Sequence, residues 1–186
     1  IVPQGLVLKN HAIVVNDNKI HELCTIEESE SRFQAAQIIK LSNHALIPGL
    51  VNTHGHSPMV LLRGAADDIP LKEWLEGKIW PLEGKLVDRT FVNEGASLAI
   101  AEMIRSGTTC FADMYFFPDE VAKSAIEARI KVQLASPVLD FPTVWAQDAD
   151  EYIYKATQLH DNYRDNEFVT TAFGPHAPYT VSDEPL

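Results

Sequence analysis

From Ala45 onward the chain alternates between short apolar runs and longer amphipathic stretches, and that alternation leaves few folds open. Ala45 to Thr53 reads as a buried strand. Asp88 is suited to cap a helix reaching about Arg105, with Ser106-Gly107 as its stop. Thr108 to Tyr115 is again strand-like. Pro118 then opens a helix to about Ala128, Ile130 to Leu139 forms a strand, Asp148 starts a helix to about Tyr163, and Phe168 to Phe173 is one more strand. Strands separated by helices cannot pair through tight turns. They lie parallel, each helix crossing back over the sheet.

This fold is α/β, and four such strands are half of a (β/α)8 barrel. Residues 45–186 are therefore expected to form the first four β/α units of such a barrel. Residues 1–44 differ: Gly5-Leu8, Ala12-Val15, Lys19-Leu23 and Ile38-Leu41 are short strand candidates separated by polar turns such as Asn16-Asp17-Asn18. They are expected to be part of a small β-sandwich. Both ends read as interruptions. Ile1-Val2-Pro3 resembles a strand already under way, and Ser182-Asp183-Glu184-Pro185 announces a helix that does not follow.

The net charge of −11 argues against nucleic acid as a partner, because phosphate binding needs clustered Lys and Arg. No apolar run approaches the ~18 residues of a membrane span, so no membrane partner is expected. Cys24 and Cys110 form no CxxC pair, which points to a reducing, cytoplasmic setting.

The strongest chemical signal is His54-Gly55-His56 at the end of the first of these strands. Histidines at i and i+2 on extended backbone project to one side, so both imidazoles can meet one cation. A bare HxH is more often a pair of loop histidines. Its place at a strand end, where barrels collect catalytic groups, reverses that balance.

The stretch Pro48-Gly49-Leu50-Val51-Asn52-Thr53-His54-Gly55-His56 resembles the metal-binding opening of the amidohydrolase superfamily. Ser57 to Asp68, Glu73-Trp74-Leu75, Trp80-Pro81-Leu82-Glu83, Thr108 to Tyr115 and Gly174 to Tyr179 are similar to the methylthioadenosine/S-adenosylhomocysteine deaminases and their chlorohydrolase relatives. The resemblance implies that His54 and His56 are two ligands of a mononuclear metal site, usually zinc, with iron or another divalent ion as alternatives. It implies that Glu83 accepts hydrogen bonds from ribose hydroxyls and that His176 contacts substrate. Read without the family, Glu83 is equally a solvated helix residue and His176 a turn histidine. Asp113 is read as a buried structural carboxylate, Trp74 and Trp80 as packing residues more than pocket walls, and His11, His21, His44 and His160 as surface groups.

The family's third metal histidine, metal-bound aspartate and acid–base residues come from later strands. The chain also departs from those members that carry an arginine after the third strand for the carboxylate of S-adenosylhomocysteine: no Arg lies between Arg129 and Arg164. The expected activity is zinc-dependent hydrolytic deamination of an adenosine-type nucleoside, with ammonia released. The substrate is 5′-methylthioadenosine, S-adenosylhomocysteine or adenosine. The alternatives are a guanine, pterin or triazine aminohydrolase or chlorohydrolase, or a non-catalytic scaffold. A dinuclear hydantoinase-like site is disfavoured, since no Lys lies between Phe168 and Tyr179. The expected partners are a purine nucleoside, the remaining half of the enzyme, which supplies the acid–base groups, and further copies in a homo-oligomer.

An open half-barrel leaves unpaired strand edges and uncovered apolar surface. Residues 1–186 expressed alone are expected to be insoluble or to unfold without a cooperative transition. A soluble, zinc-bound monomer with a sharp thermal transition would contradict the half-barrel reading.

Overall fold

In a computed structural model, which describes residues 5–185, the chain divides into two units, Ile1–Pro48 and Gly49–Leu186. In the first, strands β1 (His11–Asn16) and β2 (Lys19–Thr25) pair antiparallel. Asp17 and Asn18 between them have φ of 50° and 59°. Two successive left-handed residues make the turn whose twist suits a two-residue hairpin, and Asn and Asp tolerate that conformation better than other non-glycine residues. Helix α1 (Ile26–Arg32) follows directly, where the sequence reading has no helix. Its start is a reciprocal capping box: the Glu28 amide donates to Thr25 Oγ1 at 3.2 Å, and the Thr25 amide donates to Glu28 Oε2 at 2.9 Å.

The expected strands Gly5-Leu8 and Ile38-Leu41 are irregular. The sheet of this unit has only two strands among the described residues, so neither segment finds a ladder to join. The strand expected at Ile1-Val2-Pro3 lies outside the described residues.

The second unit is built on four parallel strands in sequential order: β3 (Leu50–Asn52), β4 (Thr108–Asp113), β5 (Lys131–Val138) and β6 (Val169–Pro175). β3 is much shorter than the Ala45–Thr53 run. Pro48 cannot donate to a ladder, and the first backbone hydrogen bond to β4's approach is Leu50 N–H to Gly107 O at 2.9 Å. Helices α4 (Arg89–Arg105), α5 (Pro118–Ala128) and α6 (Ala149–Tyr163) make the crossovers. Asp88 and Asp148 cap α4 and α6 through their side chains, as the sequence indicates. Val92, Ala96 and Ile100 of α4, Val121 and Ala125 of α5 and Leu159 of α6 bury against Phe111, Val132, Leu134 and Val169 of the sheet. The two edge strands stay open, with Val51 62% and Phe173 57% exposed.

Between β3 and α4 the chain makes a 3₁₀ turn (Ser57–Leu62) and then one long helical stretch: α2 (Leu71–Trp74), a π turn (Leu75–Ile79) and α3 (Trp80–Leu86). The π turn has a local cause. Pro81 offers no N–H to the helix ladder, and the preceding Trp80 amide reaches back five residues to Leu75 O. The wider turn resets the face on which Glu83 emerges.

Close packing of α4 against the turn after the histidine pair depends on Gly95. A β-carbon there would lie 2.6 Å from Pro58 O and 2.8 Å from Pro58 Cα. Gly84, in α3, has open space at the same position. Gly95→Ala should therefore destabilise the protein by roughly 1–3 kcal/mol through overpacking, despite alanine's better helix propensity. Gly84→Ala should stabilise it by roughly 0.5–1 kcal/mol. Denaturant titration of both variants checks the contrast, and equal shifts in one direction would refute it.

Candidate metal centre and substrate site

His54, Gly55 and His56 leave the end of β3, and the end of β4 holds them. The Met114 amide donates to Gly55 O at 3.0 Å, and His56 Nδ1 donates to Met114 O at 2.6 Å. A carbonyl can only accept, so the proton sits on Nδ1 and Nε2 keeps its lone pair. That is the tautomer a metal-binding histidine needs, and a backbone carbonyl is a usual partner for fixing it. The two imidazoles lie edge to face, 5.1 Å between centroids with planes at 87°. The His54 amide donates to Asn52 Oδ1 at 3.3 Å. Gly55 permits the close approach to β4, since a β-carbon would sit 3.0 Å from Ala112 O. The pair suits a divalent ion by donor type, and His56 by tautomer as well. Among the described residues, no group of three His, Cys, Asp or Glu side chains could hold one.

Asp113, at the last position of β4, is 2% exposed. Its Oδ1 accepts from both the amide and the hydroxyl of Ser57, each at 2.5 Å, while buried Oδ2 has no partner. Burial pushes its carboxyl pKa up to about 6, against the lowering effect of the Ser57 bonds and of His56. The carboxylate thus ties down the residue next to His56, in keeping with the structural reading made from sequence.

Glu83 is not the solvated helix residue that its sequence neighbourhood alone permits. It is 9% exposed, and its Oε1 accepts from Tyr115 Oη at 2.7 Å. Burial raises its pKa, opposed by the Tyr115 hydrogen bond and by His56. The same burial and the adjacent Glu83 carboxylate raise the Tyr115 phenol, which stays protonated and donating. The hydrogen bonds of the described residues leave Glu83 Oε2 free.

His176 follows β6 directly, its amide donating to Val138 O at 3.2 Å. Its Nδ1 lies 2.9 Å from Thr180 Oγ1, and the single Thr180 hydroxyl proton goes to Ala177 O at 3.1 Å. Nδ1 is therefore the donor, and Nε2 of the neutral ring is an acceptor. Burial, then His56, lower its pKa and keep it neutral. Asp113, Glu83 and His176 all lie within electrostatic reach of His56, whose effect on each is smaller than that of burial.

Other sequence candidates fall away from this cluster or change role. Trp80, read as a packing residue, is 37% exposed and meets Phe141 at 6.1 Å between ring centroids. Trp74 is half-buried. His11, His21, His44 and His160 are exposed, as expected. Sequence reasoning did not single out Tyr115, Met114 or Ser57. The available signal was strand periodicity, which puts Tyr115 on the same side as Asp113.

Residues 45–186 match the amidohydrolase family. The chain belongs to that family. Over 99% of its length it is 50% identical to a 5-methylthioadenosine/S-adenosylhomocysteine deaminase of Saccharophagus degradans, of which it covers 41%. It is 43% identical over 96% of its length to a 5'-deoxyadenosine deaminase of Methanococcus maripaludis, of which it covers 42%. Among solved structures, an adenosine deaminase from Xanthomonas campestris with bound zinc superposes with a TM-score of 0.94 at 44% identity, over 97% of this chain and 41% of that one. The chain thus spans about two-fifths of the length of these relatives. Its four parallel strands and the helices that join them correspond to the N-terminal half of the family's barrel. None of its helices, among the described residues, is long and apolar enough to cross a membrane.

The raised Asp113 pKa has a stability consequence with a definite sign. The folded state holds this proton more tightly than the unfolded chain, so its contribution is full below pH 3.8 and lost as pH rises through about 6. In metal-free complete protein, the wild type should lose about 2 kcal/mol relative to Asp113→Asn between pH 4 and 7. Urea unfolding at several pH values measures this, and a pH-independent difference would count against it.

Proposed function

We propose that the protein containing this chain is a zinc-dependent hydrolytic deaminase of adenosine-type nucleosides that replaces the 6-amino group with oxygen and releases ammonia. The observation that carries this reading is a half-satisfied buried carboxylate, Glu83, within electrostatic reach of His56, whose tautomer suits a metal ion. His54 and His56 would hold the ion through nitrogen, with further ligands and acid–base groups supplied by the remainder of the protein. When bound, a divalent ion of this kind supplies an activated water at neutral pH.

The chain's own residues bind and orient. Glu83 Oε2 accepts from the ribose hydroxyls, and a carboxylate can take both. His176 offers Nε2 as an acceptor for a substrate hydroxyl or, once protonated, as a donor. Holding the nucleoside in this way removes the orientation cost from the chemical step. The exposed Trp80–Phe141 pair and the lack of Arg between 129 and 164 favour an uncharged 5′ substituent such as methylthio over an amino-acid tail. The substrates for which the relatives are named, methylthioadenosine, S-adenosylhomocysteine and 5′-deoxyadenosine, support the nucleoside class. The two free thiols fit a cytoplasmic enzyme.

In the complete protein, His54→Ala and His56→Ala should each abolish stoichiometric zinc retention and lower kcat/KM for adenosine by more than about 10³-fold, well beyond the effect of any orienting residue. Glu83→Gln should raise KM for adenosine far more than for 2′,3′-dideoxyadenosine, because charged hydrogen bonds of ~1.5–3 kcal/mol each have no counterpart in the analogue. Metal analysis and steady-state kinetics decide both. Full activity with guanine, pterin or triazine and none with nucleosides would replace the substrate assignment.

A further inference from the structure

We infer that Tyr115 is the positioning residue for Glu83, and that it ties the ribose-reading carboxylate to the same strand end that fixes the metal-binding histidine. This rests on the reading of Glu83 given above and extends it to a residue to which that reading gives no role. Three consecutive residues carry the argument. The Asp113 carboxylate accepts from the Ser57 amide and hydroxyl. The Met114 backbone accepts from His56 Nδ1 and donates to Gly55 O. The Tyr115 hydroxyl donates to Glu83 Oε1 at 2.7 Å. Extended backbone sends Asp113 and Tyr115 to one side, where Tyr115 is 6% exposed and packed in the main core with Phe111 and Val121.

The consequence is geometric. Glu83 comes from α3, beyond a π turn and with no salt bridge among the described residues; the Tyr115 bond is its single side-chain tether. A phenol in a close-packed core has little freedom, so its hydroxyl marks one point in space. Donating to Oε1 fixes one oxygen and turns Oε2 outward as the acceptor. Without the phenol proton the carboxylate would rotate and lose the pre-organisation on which ribose binding depends. The Tyr115 hydroxyl proton is committed to Glu83, so its effect belongs in binding of the sugar.

The test uses complete zinc-loaded protein, with adenosine and 2′,3′-dideoxyadenosine as the two substrates. Tyr115→Phe should raise KM for adenosine roughly tenfold, change kcat by less than about threefold, and leave KM for the dideoxy analogue nearly unaltered. The double variant Tyr115→Phe with Glu83→Gln should be no worse than Glu83→Gln alone, because the two residues act as one unit. Zinc content and thermal midpoint of each variant serve as fold controls. Should Tyr115→Phe prove insoluble, 3-fluorotyrosine at 115 keeps the shape while strengthening the donor. It should shift the ratio of the two KM values by at least about twofold. Additive losses in the double variant, or, where Glu83→Gln discriminates between the substrates, equal losses on both from Tyr115→Phe or an unmoved ratio with fluorotyrosine, would overturn the proposal. Non-additive variants in which Glu83→Gln also hurts both substrates alike would keep Tyr115 as the positioner of Glu83 and overturn the ribose reading instead.

Discussion

The Met114 peptide is the point on which the site depends. Its amide and carbonyl both face the His54-Gly55-His56 loop, one accepted by Gly55 O and the other accepting from His56 Nδ1. Parallel pairing of β3 with β4 brings the two strand ends side by side, with Asn52 opposite Phe111. The loop beyond β3 therefore meets the backbone beyond Asp113. A parallel ladder does this without any special residue, because register alone sets which peptide lies opposite. What the local sequence adds is permission for close approach: Gly55 against Ala112 O, and Gly95 against Pro58 on the helix side.

The polar groups around this point are buried at a cost, and their arrangement shows what that cost maintains. Asp113 keeps one carboxylate oxygen unpartnered in the core, and Glu83 keeps one oxygen without a protein donor. Both carboxyls are pushed upward in pKa by burial and pulled back mainly by hydrogen bonds, from Ser57 to Asp113 and from Tyr115 to Glu83. An unpaired buried acceptor such as Asp113 Oδ2 is unfavourable for stability alone. It and the open Glu83 oxygen fit the role proposed for this site, which is to hold a cation and a hydroxylated ligand.

Much of the fold was legible in sequence because its signals are local. Asp88 and Asp148 as caps, Pro118 at a first helical turn, and the alternation of strands with helices all depend on chemistry within one turn of backbone. Where sequence reading failed, the missing information was nonlocal or competing. Ile38-Leu41 has strand composition but no neighbouring strand, and β-propensity has no effect without one. Thr25-Ile26-Glu27-Glu28 carries a capping box, yet it adjoins the apolar strand run of β2, which dominates a period-based reading. The π turn before Glu83 is explained by Pro81 only once the helix around it is known.

The sequence by itself determined the residue types and the spacing of the chemistry: two histidines at i and i+2 after an apolar strand, and a family resemblance that singles out Glu83 and His176. Spacing of two on extended backbone is enough to predict that imidazoles share a side, because it follows from strand geometry. Tertiary structure alone decided their states. Which nitrogen of His56 carries the proton depends on a carbonyl 58 residues away, and which oxygen of Glu83 is free depends on a phenol 32 residues away. Hydrogen-bond partners at such separations are set by strand register and helix packing, which no local pattern encodes.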